Sequence, residues 1–285
     1  MPDHPQITLR ESGERAVLVP DAYQSGALIL EVDGTPQSHV FVDAPDDLFF
    51  EYIRRIGHVI DLFRPAGEPI TAVHLGGGAL TLPRYVAVTR PGSRQQVLER
   101  HADLIDFVRE HLPLPAGASI RFRYGDARDT LAKLPAGLRG TVDLVVLDIF
   151  AGARTPAHVT SREFFSEVAA LLAPDGVIVI NVADGPGLSF ARAQVATLAS
   201  VLPEVVVIAE AQVLKGRRFG NLVLVGSRSH DLLDLLPRLL AGGPHPAQAM
   251  SGGEVTAFAA SAPIVTDATA VPSPSPNKNI FSVKR

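Results

Sequence analysis

Cysteine is absent from the 285 residues, which excludes disulfides, thiolate metal sites and cysteine nucleophiles. There is no basic run, and the net charge is -4. Phosphate backbones are held by clustered Lys and Arg, so a nucleic-acid partner is not expected. No stretch of about 18 apolar residues occurs, so no membrane span is expected. The first twenty residues, MPDHPQITLRESGERAVLVP, lack the apolar core of a signal peptide. The expectation is a soluble cytoplasmic protein. Some chemistries are missing too. None of Tyr23, Tyr52, Tyr85 or Tyr124 has Lys four residues later, so the Tyr-x3-Lys of short-chain hydride-transfer enzymes is absent. No Gly-x4-Gly-Lys-Ser/Thr phosphate loop exists, and the nine histidines show no zinc spacing, so no metal is expected. Gly187-Leu188-Ser189-Phe190-Ala191 imitates a nucleophile elbow, but Ala191 stands where the closing glycine belongs.

With 46% hydrophobic and 20% charged residues, the chain can bury a full core. Residues 1–47 read as a small β element: in ALILEVDGTPQSHVFV, Asp33-Gly34 between apolar runs is a strong hairpin signal. LFFEYIRRIGHVIDLF, 48 to 63, spaces its apolar residues like an amphipathic helix. From residue 70, short apolar strands at 70–75, 95–99, 119–125, 142–149 and 177–183 alternate with helix candidates. The helices fall at 79–89, 102–112, 127–134, 161–173 and 188–201. That alternation predicts a parallel sheet covered on both faces. VVVIAEAQVL (205–214) and NLVLVGS (221–227) are six residues apart, which allows a hairpin but no crossover. The outline resembles the class I methyltransferase-type Rossmann-like α/β sheet, in a domain spanning 48–262. Residues 263–285, rich in Pro, Ser and Ala, read as a disordered tail.

Four constellations carry candidate chemistry. His74-Leu75-Gly76-Gly77-Gly78 ends a strand before a helix, so its backbone can approach a ligand closely. A tight turn without a ligand is the plainer reading. Glu99 follows Gly76 by 23 residues, where an acid can accept from a ribose hydroxyl pair. It could also be a surface residue of Glu99-Arg100-His101. Asp126 and Ala127 end the third strand; the carboxylate suits an adenine amino group and the amide the ring. Asp126 is equally placed to cap the following helix. Asp148 closes VDLVVLD beside the expected crevice, as a general base or as another cap.

Together these segments resemble the spermidine synthase (aminopropyltransferase) family over about residues 25 to 227. ILEVDGTPQS, with Gln37, is similar to the family's strand-DG-x-x-Q element. Tyr52 and His58 keep its Tyr-x5-His spacing, and the resemblance assigns Gln37, Tyr52 and His58 to the substrate. HLGGGA, VLERHADLI, YGDA, VDLVVLDIFAG and SREFFSEVAALLAPDGVIVIN match in turn. The resemblance implies transfer of an aminopropyl group from decarboxylated S-adenosylmethionine, or use of S-adenosylmethionine, as co-substrate. It makes Asp148 the catalytic base, a small-molecule amine the acceptor and a homodimer the assembly.

Several positions depart from the family pattern. Ala79 replaces the Asp that follows the family's glycines, and Ala151 replaces the second acid after the catalytic strand, with Arg154 close by. Tyr52 is followed by Ile53, where a polar residue is common. Dications need carboxylates or aromatic faces, so the polyamine half of the site reads as rewritten. Two alternatives stay open: a non-catalytic nucleoside-binding or interaction relative, and a transferase whose acceptor meets Ile149 and Phe150. The loop Lys215-Gly216-Arg217-Arg218 is either a solvated hairpin tip or, folded towards the crevice, a site for an anion.

Overall fold

The computed structural model describes residues 4–275. Its N-terminal part is an antiparallel meander of β1 (Gln6–Thr8), β2 (Arg15–Pro20), β3 (Ala27–Val32) and β4 (Thr35–Phe41). Asp33 and Gly34 both have positive φ, 47° and 73°. A two-residue turn with that pair of φ values matches the twist of its flanking strands. Ala16, Leu18, Leu30 and Val40 form the inner face and pack with Ala79, Leu80, Val97 and Ile105. The meander therefore rests directly on the glycine turn.

Helix α1 (Glu51–Leu62) buries Ile53, Ile56, Val59 and Ile60 on one stripe. The main sheet contains β5 (Thr71–Leu75), β6 (Arg94–Glu99), β7 (Ser119–Tyr124), β8 (Val142–Leu147), β9 (Leu172–Asp184), β10 (Glu204–Glu210), β11 (Gly220–Ser227) and β12 (Ala247–Met250). Their order is β12-β10-β11-β9-β8-β5-β6-β7. Pairing is parallel from β7 to β9 and antiparallel where β11 inserts between β9 and β10. Helices α2 (Thr81–Thr89), α3 (Ala102–His111), α4 (Ala127–Leu131), α5 (Arg162–Ala169), α6 (Ser189–Ala199), α7 (Ala211–Leu214), α8 (Leu236–Ala241) and α9 (Gly252–Ala259) complete the architecture.

The apolar strands are apolar because both faces are covered. Val145, Leu147, Ile178 and Ile180 face the core under α5, α6 and α9. Leu144, Val146, Val177 and Val179 face the opposite core, under α1, α2 and α8. That alternation is the two-residue period of a strand. No helix among the described residues is long and apolar enough to cross a membrane.

The structure differs from the sequence expectation in three places. The stretch 205–214 is not one strand; it breaks at Glu210, and α7 follows. β12 and the helices beyond Ser227 were not read from the sequence; β12 is only four residues and gains its place by pairing with β10. The largest correction concerns the tail. Residues 263–275 are packed against the domain instead of being disordered. The Arg162 amide donates to Val265 O at 2.8 Å, and the Val265 amide donates to Thr197 Oγ1 at 2.9 Å. Ser273 is fully buried, and its amide and hydroxyl both bond the Thr155 backbone. Composition reads as disorder, but main-chain hydrogen bonds depend on partners that composition does not report. Residues 276–285 of the expected tail lie outside the described residues.

Asp267 pins this segment through two bonds to the Arg128 guanidinium, at 2.7 and 3.0 Å, and one from Ser161. A half-exposed ion pair is worth about 1 kcal/mol. Asp267→Ala is therefore expected to quicken proteolytic cleavage within 260–275 about fivefold, read by mass spectrometry of limited digests. Unchanged cleavage would show that Val265 and Ser273 hold the segment alone.

Candidate active site

Parallel strands β6, β5 and β8 end side by side, and their ladder continues into the loops. The Gly76 amide donates to Leu98 O at 2.9 Å, and the Asp148 amide donates to Leu75 O at 3.0 Å. Gly76 has φ of 98°, and a Cβ there would run into the Asp148 carbonyl oxygen. At Gly78, φ is 49°, and a Cβ would crowd the Ser38 hydroxyl of β4. The glycines thus let β5 turn against Asp148 on one side and the N-terminal meander on the other. Arg84 supports the turn from α2: it is buried and donates through Nε to Ala79 O at 3.2 Å.

Glu99 reaches over this turn. Its Oε2 accepts from the Gly77 amide at 2.8 Å and its Oε1 from the His101 amide at 3.0 Å. Each oxygen keeps a further lone pair, so the anchored carboxylate can still accept from paired hydroxyls. Asp126 caps α4, with Oδ1 accepting from the Arg128 and Asp129 amides at 2.9 and 3.3 Å. Its Oδ2 lies 2.7 Å from His158 Nε2. Burial works to raise the Asp126 pKa, but the Asp129 amide, His158 and the Arg128 amide together hold it below the usual carboxylate range.

Asp148 sits at the tip of central strand β8. Asn181 of β9 donates to its Oδ1 at 2.8 Å, and the Tyr52 side chain adjoins the carboxylate. Burial pushes the Asp148 carboxyl up to about 6, against the lowering effect of these two side chains. Burial and the adjoining Asp148 carboxylate push the Tyr52 phenol up, so it remains a donor.

The structure brings nearly all the expected residues into one cavity of about 600 Å³. Gly76, Gly77, Gly78, Glu99, Asp126, Ala127, Asp148, Tyr52 and Gln37 line it. Leu75 is buried directly behind the glycines. A second cavity of about 390 Å³ adjoins it and shares Gln37, Tyr52, Phe150 and Gly152. Gln37 donates to Gly152 O at 3.2 Å, tying β4 to the loop after β8.

His58 is the exception. Its ring lies against Gly242 after α8, away from both cavities. Six residues along a helix rotate the side chain by about 600°, leaving it roughly 120° from Tyr52. Ala79 also faces away from ligand space: it is buried between the meander and α3, and its amide donates to Ser38 Oγ at 3.1 Å. Ala151 bridges to Arg154, whose Nε donates to Ser273 O at 2.6 Å. The loop following Asp148 is thereby clamped by the packed C-terminal segment. Of the basic loop, Arg218 folds inward, lines the smaller cavity and pairs with Glu210.

Asn181 and Arg55 are not among the residues that the sequence pattern points to. Asn181 carried a signal, as the one polar side chain inside VIVINVA. Arg55 carried none, because an arginine on an amphipathic helix is ordinarily solvated.

The sheet order and the acids at adjacent strand ends define an α/β protein of the class I methyltransferase type. No protein-family profile matches the chain. A curated polyamine aminopropyltransferase from Vibrio vulnificus is 32% identical over 135 residues, 47% of this chain; the match spans 44% of that relative's length. The crystal structure of a probable spermidine synthase from Corynebacterium glutamicum superposes with a TM-score of 0.81 at 32% identity. It covers 93% of this chain and 97% of that one. A spermidine synthase solved with the transition-state analogue AdoDATO shares the fold, with a TM-score of 0.56 at 13% identity, covering 82% of this chain and 78% of that chain. The chain belongs to the spermidine synthase family, as a divergent member.

Proposed function

We propose that the protein is an aminopropyltransferase, using decarboxylated S-adenosylmethionine as donor and an amine as acceptor. The observation that carries this reading is the position of Asp148. It lines the larger cavity, while Asn181, which bonds it, lines the smaller one and Tyr52 beside it lines both. A base at that junction meets both reactants.

The larger cavity suits an adenosyl group. Glu99 would take the ribose hydroxyls, and Asp126 with the Ala127 amide would take the adenine edge. One fold neighbour was solved with AdoDATO, which supports an S-adenosyl-type ligand in such a site. In the reaction, the acceptor nitrogen attacks the carbon beside the sulfonium. The carbon–sulfur bond breaks, its electron pair stays on sulfur, and methylthioadenosine leaves. The nitrogen's proton passes to Asp148. Holding the reactants in line supplies much of the rate.

Calorimetry with methylthioadenosine tests the donor site; absence of binding at millimolar ligand would sink this reading. Glu99→Ala is expected to weaken that binding about 10- to 100-fold, since hydrogen bonds to a charged group contribute about 1.5–3 kcal/mol. Turnover with decarboxylated S-adenosylmethionine and a panel of amines tests the transfer. Binding without turnover on any amine would favour a non-catalytic nucleoside-binding relative.

A further inference from the structure

The smaller cavity is ill-suited to a diamine. Among the described residues, Glu51 is the one carboxylate on its wall; it is 59% exposed and already pairs with Arg55 at 3.4 Å. Two cations line the same wall, Arg55, paired with the exposed Glu51, and Arg218, paired with Glu210. A second ammonium would enter a pocket with no unclaimed anion to meet it, and burial without pairing is unfavourable. Phe50, Phe150 and Phe219 supply the apolar part of the wall.

Two orphan polar atoms define what does fit. Arg55 is 3% exposed; one terminal nitrogen reaches Glu51, the other donates to Pro244 O at 3.2 Å, and its Nε finds no partner. Asn181 is equally buried; its Nδ2 is committed to Asp148, and its Oδ1 finds no partner. A buried charged donor left unmatched is costly, and so is a buried amide oxygen. Both residues line the smaller cavity. Asn181 therefore keeps an unused acceptor next to the base and Arg55 an unused cationic donor, both lying just beneath the wall rather than on its surface.

We infer that the smaller cavity takes an acceptor that is both an amine and a carboxylate, an amino acid, in place of a diamine. This rests on the transferase reading above. The amine sits between Asn181 Oδ1 and Asp148. The carboxylate meets Arg55, with Arg218 at the mouth; charge-assisted bonds of this kind are the strong ones. The amine nitrogen forms the new bond to the donor carbon, the carbon–sulfur bond breaks to release methylthioadenosine, and the proton goes to Asp148. The carboxylate is unchanged, so the product is an N-(3-aminopropyl) amino acid.

Calorimetry on the full chain saturated with methylthioadenosine tests this. The probes are glycine, β-alanine, γ-aminobutyrate and phenylalanine against 1,3-diaminopropane and putrescine. At least one amino acid is expected to bind ten times more tightly than either diamine. Arg55→Gln should weaken it at least tenfold, and Arg218→Ala about threefold. Methylthioadenosine affinity should stay within twofold in both variants, which reports intact folding. If Arg55→Gln misfolds, the half-exposed Arg218 decides. Tighter binding of a diamine, binding of no probe, or probe binding unchanged by the substitutions overturns the inference. Failure of methylthioadenosine to bind the unmodified protein instead removes the transferase reading, and this inference with it.

Discussion

Asp148→Asn is expected to lower turnover by about 10²- to 10⁴-fold, the usual contribution of a positioned base. Methylthioadenosine binding should remain within about threefold. Asparagine keeps an oxygen to accept from Asn181, so that contact survives while the proton acceptor is lost. In the unmodified protein, kcat/KM for the proposed transfer should fall as pH drops through about 6, where the carboxylate gains its proton. That acidic limb should be missing from the residual activity of the variant. A limb that persists would assign the ionisation to another group.

Stability should move in the opposite sense. The folded state raises the Asp148 pKa from 3.8 to about 6, so it binds the proton more tightly than the unfolded chain. Stability contributed by this group therefore falls as pH rises between these two values, and the penalty is complete above about 6. At pH 8 the asparagine variant should melt no lower than the parent. An inactive variant with an unchanged or raised melting temperature separates loss of chemistry from loss of fold.

The second large effect is expected at Gly76. Gly76→Ala would place a methyl against the Asp148 carbonyl at φ of 98°, a backbone conformation that side-chain-bearing residues rarely adopt. Strain of this kind costs about 1–3 kcal/mol before the clash is counted. Relief requires the ends of β5 and β8 to separate, and a displacement of about 1 Å at reacting groups can cost about 10²-fold in rate. Loss of at least 10²-fold in kcat/KM with a lower melting temperature is the expected result. Gly77→Ala is the control. Its φ is not positive, and its Cβ would meet the flexible tip of Ile105 at 2.9 Å and Glu99 Oε2 at 3.2 Å. Its effect on stability should be clearly smaller. Equal effects at the two glycines would refute the role given to the Gly76–Asp148 contact.

Much of this arrangement was legible along the chain because it is local. Asp33-Gly34 specified its hairpin through the φ values that its turn requires. The runs TAVHL and VDLVVL read as strands covered on both faces, and they are. Gly76, Glu99, Asp126 and Asp148 each terminate or follow a parallel strand, so once the sheet forms they must gather at one edge. His58 lies off both cavities, because motif spacing does not say which face of a helix points inward. The C-terminal segment resembles disorder in its proline and serine content, yet Val265 and Ser273 are held by distant partners.

The strand-helix alternation, the turn at the glycines and the acids at the strand ends are dictated by the order of residues alone. Those follow from backbone preferences and periodicity within a few residues. Folding of remote segments together makes Ala79 a core contact, sets Asp148 on the larger cavity with its carboxyl pushed up to about 6, and turns Arg55 to the smaller cavity. Such properties depend on desolvation and on neighbours from remote segments. They come into existence only when β4, α1, β8, β9 and the C-terminal segment meet.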